Sequence, residues 1–181
     1  MNLVFITGNQ FKADYLAANL GIPIEHQKID QEEIQSLDLT AVVAHKAKSA
    51  YTIVGQPVLV EDIALTFKAM NGLPGPLIKW FLGALGNAGV AELAQRLDSQ
   101  EATVTILYGL YDGQALHTFE GQTDGLIAPK PRGTNGFGFQ DIFIPKGASK
   151  TFAEMTEIEM QPYYHRSKAL KKLRAYLAQT S

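Results

Sequence analysis

Two adjacent acids, Glu61 and Asp62, interrupt the apolar run from Val58 to Leu65, and a third, Glu33, sits in an acidic patch with Asp30 and Glu32. An ionised carboxylate is costly to bury unless something positive lies beside it, so the pair calls for a cation, a salt bridge or a strand end open to water. Two carboxylates about 4 Å apart repel by roughly 4 kcal/mol at an effective dielectric near 20. A converging acidic set therefore needs a counter-charge. Magnesium suits it, because that ion takes few carboxylates, keeps several waters and accepts phosphate oxygens as its other ligands. Successive strand residues point to opposite faces, so Glu61 and Asp62 are not both simple ligands of one ion unless the strand bulges or ends there. The alternative has Glu61 paired with a lysine and Asp62 capping a turn.

Candidate counter-charges lie elsewhere in the chain. Thr7 to Lys12, TGNQFK, reads as a strand-to-helix turn. Free backbone N–H groups at such a helix start attract anions, and Asn9 and Lys12 add a donor and a positive charge. Lys46, in a mostly apolar helix, and Lys79, one turn inside another, are either phosphate-directed or simply solvated. In the stretch Gly133 to Phe143, Phe137 and Phe139 flank Gly138, so both rings share a side if the segment is extended, while Gly136 and Gly138 allow close approach to a flat ligand. Stacking a base on such a ring is worth about 1–3 kcal/mol; packing in the core is the alternative. His165 and Arg166 stand at the start of the last helix, apart from its lysine face.

The elements that must position these residues follow from pattern and punctuation. Leu3 to Thr7 reads as a buried strand, Gln10 to Leu20 as a helix with Phe11, Tyr15 and Leu16 on one face, and Glu25 to Ile29 as a short extended piece. Asp38 or Thr40 caps a helix to about Val54, and VLVED follows as a strand, giving the β-α-β-α-β order of an α/β protein. MNGLPGP, Met70 to Pro76, is too rich in glycine and proline for regular structure; helices are expected from near Pro76 and over Val90 to Leu97. Thr103 to Tyr111 and Ala115 to Glu120 form a hairpin about Asp112-Gly113, the chain after Gly121 stays glycine-rich as far as Gly138, and the last clear element is a helix from about Tyr163 to Gln179.

The 181 residues, 46% of them apolar, suffice for a single domain over 1–181, with at most a two-lobed body. A formal charge of −2 gives no global basic field, so a general nucleic-acid partner is not expected and anions must be met locally. Without cysteine there is no disulfide or thiolate metal site, which suits a reducing, cytoplasmic setting, and His26, His45, His117 and His165 lack zinc-like spacing. No signal peptide or membrane-length apolar run is evident, so a soluble protein without a membrane partner is expected.

Taken in order, TGNQFK, an acid after KID, VLVED, NGLPGPLIKWF, PRGTNGFGF and HR before the final helix, the chain resembles the inosine triphosphate pyrophosphatase family from Thr7 to Arg166. The resemblance implies a two-lobed α/β body with a long mixed sheet flanked by helices, a nucleotide in a cleft between lobes, a homodimer, and magnesium-dependent hydrolysis of ITP, dITP or XTP to monophosphate and pyrophosphate. It implies that Thr7, Gly8, Asn9 and Lys12 hold the triphosphate, that Glu33 and Asp62 bind magnesium, and that Lys46 and Lys79 neutralise phosphate charge. Asp62, with Glu61 assisting, would orient or deprotonate the attacking water. Phe137, Gly138, Phe139 and Gln140 would face the base, and His165 and Arg166 would donate to its keto oxygen. The family pattern has Asp-Pro where this chain has Gln140-Asp141, and Lys-Asn ahead of Ser-His-Arg where it has Met160-Gln161 ahead of Tyr164-His165-Arg166. These departures leave open a different modified nucleotide as substrate, and a low-turnover nucleotide binder is the reading from another class.

Overall fold

The computed structural model describes residues 3–180. Its elements are β1 (Val4–Ile6), α1 (Gln10–Leu20), β2 (Glu25–Gln27), α2 (Leu39–Val54), β3 (Val58–Phe67), β4 (Pro74–Gly75), α3 (Ile78–Gln95), β5 (Glu101–Tyr111), β6 (Leu116–Ile127), β7 (Phe143–Pro145), α4 (Glu157–Met160) and α5 (His165–Thr180). The strands form one mixed seven-stranded sheet in the order β2-β1-β3-β5-β6-β7, with β4 added to β3. The chain divides into two compact units. One takes in the residues up to Asp62, Ile106–Gly121 and the chain from Arg166 on; the other takes in Ile63–Thr105 and Gln122–His165.

In the first unit β1 runs parallel to both β2 and β3, pairing Val4 with Glu25 and with Val58, as two helical crossovers demand. Asn9 caps α1 by accepting from the Lys12 N–H at 3.3 Å, and Gly21 ends it in the left-handed region. Ala13, Leu16 and Leu20 are the buried face of α1. Phe11, expected to turn inward, is 46% exposed instead, because the helix buries the i, i+3, i+7 row that starts at Ala13. Asp38 caps α2 through the N–H groups of Thr40 at 2.8 Å and Ala41 at 3.3 Å. Val43, Ala47 and Ala50 of α2 then pack on Val4, Ile6, Val58, Val60 and Leu107 of the sheet. That packing fixes where Lys46, next to Ala47, emerges.

Three expectations for the chain within or leading into the second unit are corrected. The acids do not end their strand: β3 continues through Glu61 and Asp62 to Phe67, and there it takes up β4, Leu65 opposite Gly75 and Thr66 opposite Pro74. Part of the expected loop at Met70 to Pro76 is therefore paired. β6 runs on to Ile127, past its expected end at Glu120, because Gly121, Thr123 and Gly125 continue the inward alternation with small side chains and Ile127 completes it. A Cβ on Gly125 would sit 2.2 Å from the Ile144 carbonyl of neighbouring β7, so the glycine is what permits that pairing. α3 covers both expected helices, broken only at Gly86 (φ 67°, ψ 172°).

Candidate active site

The first unit gathers Lys12, Glu33, Lys46, Glu61, Asp62 and Arg166 into two linked clusters. At the first, Lys46 Nζ stands 3.3 Å from Glu33 Oε1, 3.5 Å from Asp62 Oδ2 and 3.4 Å from the Glu61 carbonyl oxygen. Burial would lower the ammonium's pKa, but Asp62 and then Glu33 outweigh it and raise it above 10.5. Glu33 comes from the stretch before α2, Lys46 from the middle of α2 and Asp62 from β3. They meet because α2 lies on the β1–β3 face of the sheet.

At the second cluster Glu61 is 2% exposed and takes the opposite set of partners. Its Oε1 lies 2.9 Å from Lys12 Nζ, and Arg166 Nη1 donates to its Oε2. Arg166 also donates to Tyr108 Oη at 3.4 Å. Burial alone would push the Glu61 carboxyl up; Arg166 and then Lys12 overcome it and hold it well below its ordinary 4.5. Burial, reinforced by the Glu61 charge, pushes the Tyr108 hydroxyl well above 10.0, so that group stays a neutral phenol. Adjacent acids on one strand thus serve different cations, the outcome that strand alternation dictates. Nothing in the residue pattern marks Tyr108: in a run of alternating apolar residues a buried phenol looks like any core aromatic.

The turn ahead of α1 adds neutral polar side chains. The Asn9 N–H donates to Thr7 Oγ1 at 3.1 Å, and the Gly8 Cα faces the stem of Lys28, whose carbons lie 3.2–3.4 Å from where a Cβ would stand.

The remaining candidates belong to the second unit. Lys79 is exposed in the first turn of α3. Phe139 is 5% exposed and packs in the core, whereas Phe137 is half-buried. Gln140 Oε1 accepts from the Phe137 N–H at 3.2 Å, and Gln140 Nε2 donates to Tyr164 Oη at 3.0 Å. Asn87 donates to the Gly138 carbonyl at 2.7 Å and to Asp141 at 2.5 Å. His165 is buried, its ring edge-on to Tyr164 at 4.7 Å between centroids.

The arrangement in the first unit has the donor set for a hard divalent ion. Glu33 and Asp62 already converge on one cation, the ammonium of Lys46. Among the described residues no group of three or more acids or histidines surrounds a common point, so such an ion would take two protein carboxylates and complete its shell with water and phosphate oxygens.

Comparison with known proteins agrees in sequence and in shape. The model of the Ham1 family matches residues 3–176. An inosine triphosphate pyrophosphatase of Schizosaccharomyces pombe is 43% identical over 97% of this chain and 95% of its own length. A dITP/XTP pyrophosphatase of Methanopyrus kandleri is 38% identical over 95% and 94% respectively. The solved HAM1 protein of Coxiella burnetii superposes with a TM-score of 0.86 at 26% identity, covering 99% of this chain and all of that one.

Proposed function

This chain belongs to the Ham1 family, and from that membership we propose that it hydrolyses deaminated purine nucleoside triphosphates, ITP, dITP and XTP, to the monophosphate and pyrophosphate. The observation that carries the proposal is the convergence of Glu33 and Asp62 on the Lys46 ammonium, beside Lys12 anchored on buried Glu61. Water attacks the α-phosphorus, its oxygen forms the new P–O bond, and the bond to the α–β bridging oxygen breaks as pyrophosphate leaves. Phosphoryl transfer asks for positioning and charge stabilisation more than for covalent chemistry. Asp62 orients the water and accepts its proton. Lys12 and Lys46 meet the charge of the leaving pyrophosphate, and the turn ahead of α1 presents the Thr7 hydroxyl, the Gly8 N–H and the Asn9 side-chain amide to phosphate oxygens. Glu33 and Asp62 would hold magnesium, which when bound neutralises polyphosphate charge. Glu61 keeps Lys12 and Arg166 in place.

Residues of the second unit take the other assignments: Lys79 to phosphate charge, Phe137 to stacking on the base, His165 to its keto oxygen. We also infer a homodimer, from the family resemblance, and a cytoplasmic setting, from the absence of cysteine; light scattering should return twice the mass of one chain, and a single-chain mass contradicts the dimer. None of the helices among the described residues is long and apolar enough to cross a membrane.

Pyrophosphate release from ITP, dITP, XTP, ATP, GTP, CTP and UTP tests the reading. We expect turnover of ITP, dITP and XTP, its loss on chelation with folding retained, and a fall of at least about 100-fold in kcat for Asp62→Asn, the scale of removing a proton acceptor. Absence of turnover with every triphosphate would leave a nucleotide-binding protein instead.

A further inference from the structure

The turn carrying Phe137 is built around one side-chain amide. Gly136 (φ 85°) and Gly138 (φ 65°) both take the left-handed region, and Gln140 Oε1 occupies the space that a Cβ on Gly136 would need, 1.7 Å from it. The same oxygen accepts from the Phe137 N–H, and the amide nitrogen donates to the Tyr164 hydroxyl. Gln140 is 4% exposed. A buried amide is stable only with partners at both ends, and here both ends are spent inside the unit. Asn87 ties down the far side of the turn through the Gly138 carbonyl and Asp141. Two of the positions at which this chain departs from the family pattern, Gln140 and Asp141, are therefore engaged in fixing the backbone.

We infer that Gln140 is a positioning residue for base discrimination: it holds the Phe137 ring and the main-chain groups of residues 136–138 in the single arrangement that a purine base meets. The inference rests on the proposed hydrolysis and on Phe137 as the stacking surface. It separates two quantities. Binding lost equally from ground state and transition state raises KM and leaves kcat nearly unchanged, whereas a part in the hydrolytic step would lower kcat.

The test compares the native enzyme with Gln140→Ala and Tyr164→Phe, measuring kcat and KM for ITP, XTP and GTP together with hydrogen exchange at the Phe137 amide. For Gln140→Ala we expect KM for ITP to rise about tenfold, as for the loss of one buried hydrogen bond, with kcat within about threefold. The preference for ITP over GTP should shrink, and the Phe137 amide should lose protection. Tyr164→Phe removes one hydroxyl and should shift KM the same way by a smaller factor, so it decides the matter if the alanine variant fails to fold. Unchanged KM and unchanged preference in a folded variant, or a fall in kcat at constant KM, overturns the inference while leaving the proposed function intact. A native protein that releases pyrophosphate from no triphosphate overturns both.

Discussion

Glu61 is the residue on which two cations depend. Removing one partner of a buried ion pair typically costs about 3–5 kcal/mol, because the other charge is left uncompensated. Glu61→Gln strands two, Lys12 and Arg166, with Arg166 1% exposed. We expect the variant to lose stability in that range by urea unfolding at pH 7. The native carboxyl is held well below its ordinary 4.5, so its contribution is complete above about pH 4.5 and is lost as pH falls through the lower folded-state value. The gap between native and variant should therefore narrow on acidification; a gap independent of pH would contradict the ion-pair assignment. At this scale the sequence was informative about chemistry and less so about pairing. Residue types pointed to the acids Glu33, Glu61 and Asp62, since acids that converge or are buried demand a cation, while the part given to Lys46 came from the family resemblance. They could not show that Glu61 would spend itself on Lys12 and Arg166, which comes from strands and helices distant in the chain. Nor could they separate Phe137 from Phe139, because two aromatics around a glycine look alike until one of them is packed.

Among the elements, α2 matters most, since it carries Lys46 and rests its Val43-Ala47-Ala50 row on the sheet. Close approach depends on Gly109 of β5, where an added Cβ would lie 2.4 Å from Val43 Cγ1. Overpacking of this kind costs about 1–3 kcal/mol. Gly109→Ala should lower the melting temperature and, by pushing α2 off the sheet and Lys46 away from Asp62, lower kcat as well. Val43→Ala in the same chain should recover part of both losses, and purely additive losses would show that the contact is not the cause. The helices were legible because capping residues and glycines mark their ends, as at Asp38 and Gly55. The strands were legible only while their inward residues were apolar. β6 was lost to view at Gly121 because its inward positions there are glycine and threonine, small enough to admit a neighbouring strand and indistinguishable by composition from a loop. β3 ran past its acids because ion pairs supplied what an apolar partner would have done.

At the scale of the whole molecule, a formal charge of −2 means that a polyphosphate is not drawn in by a general field and must be held by particular cations. The family model spans residues 3–176, so the clusters in the first unit lie within the matched body of the chain rather than in an appendage. The claim that joins sequence, fold and chemistry is that Glu33 and Asp62 together bind a divalent ion against the substrate's phosphates. Manganese, read by electron paramagnetic resonance, can be titrated into the native protein and into Glu33→Gln/Asp62→Asn in the presence of a non-hydrolysable imido analogue of ITP. The account predicts that the double variant binds the ion at least about 100-fold more weakly than the native protein, the loss of two of the ligand charges that set affinity at such sites. Equal manganese affinity in the two proteins would contradict it.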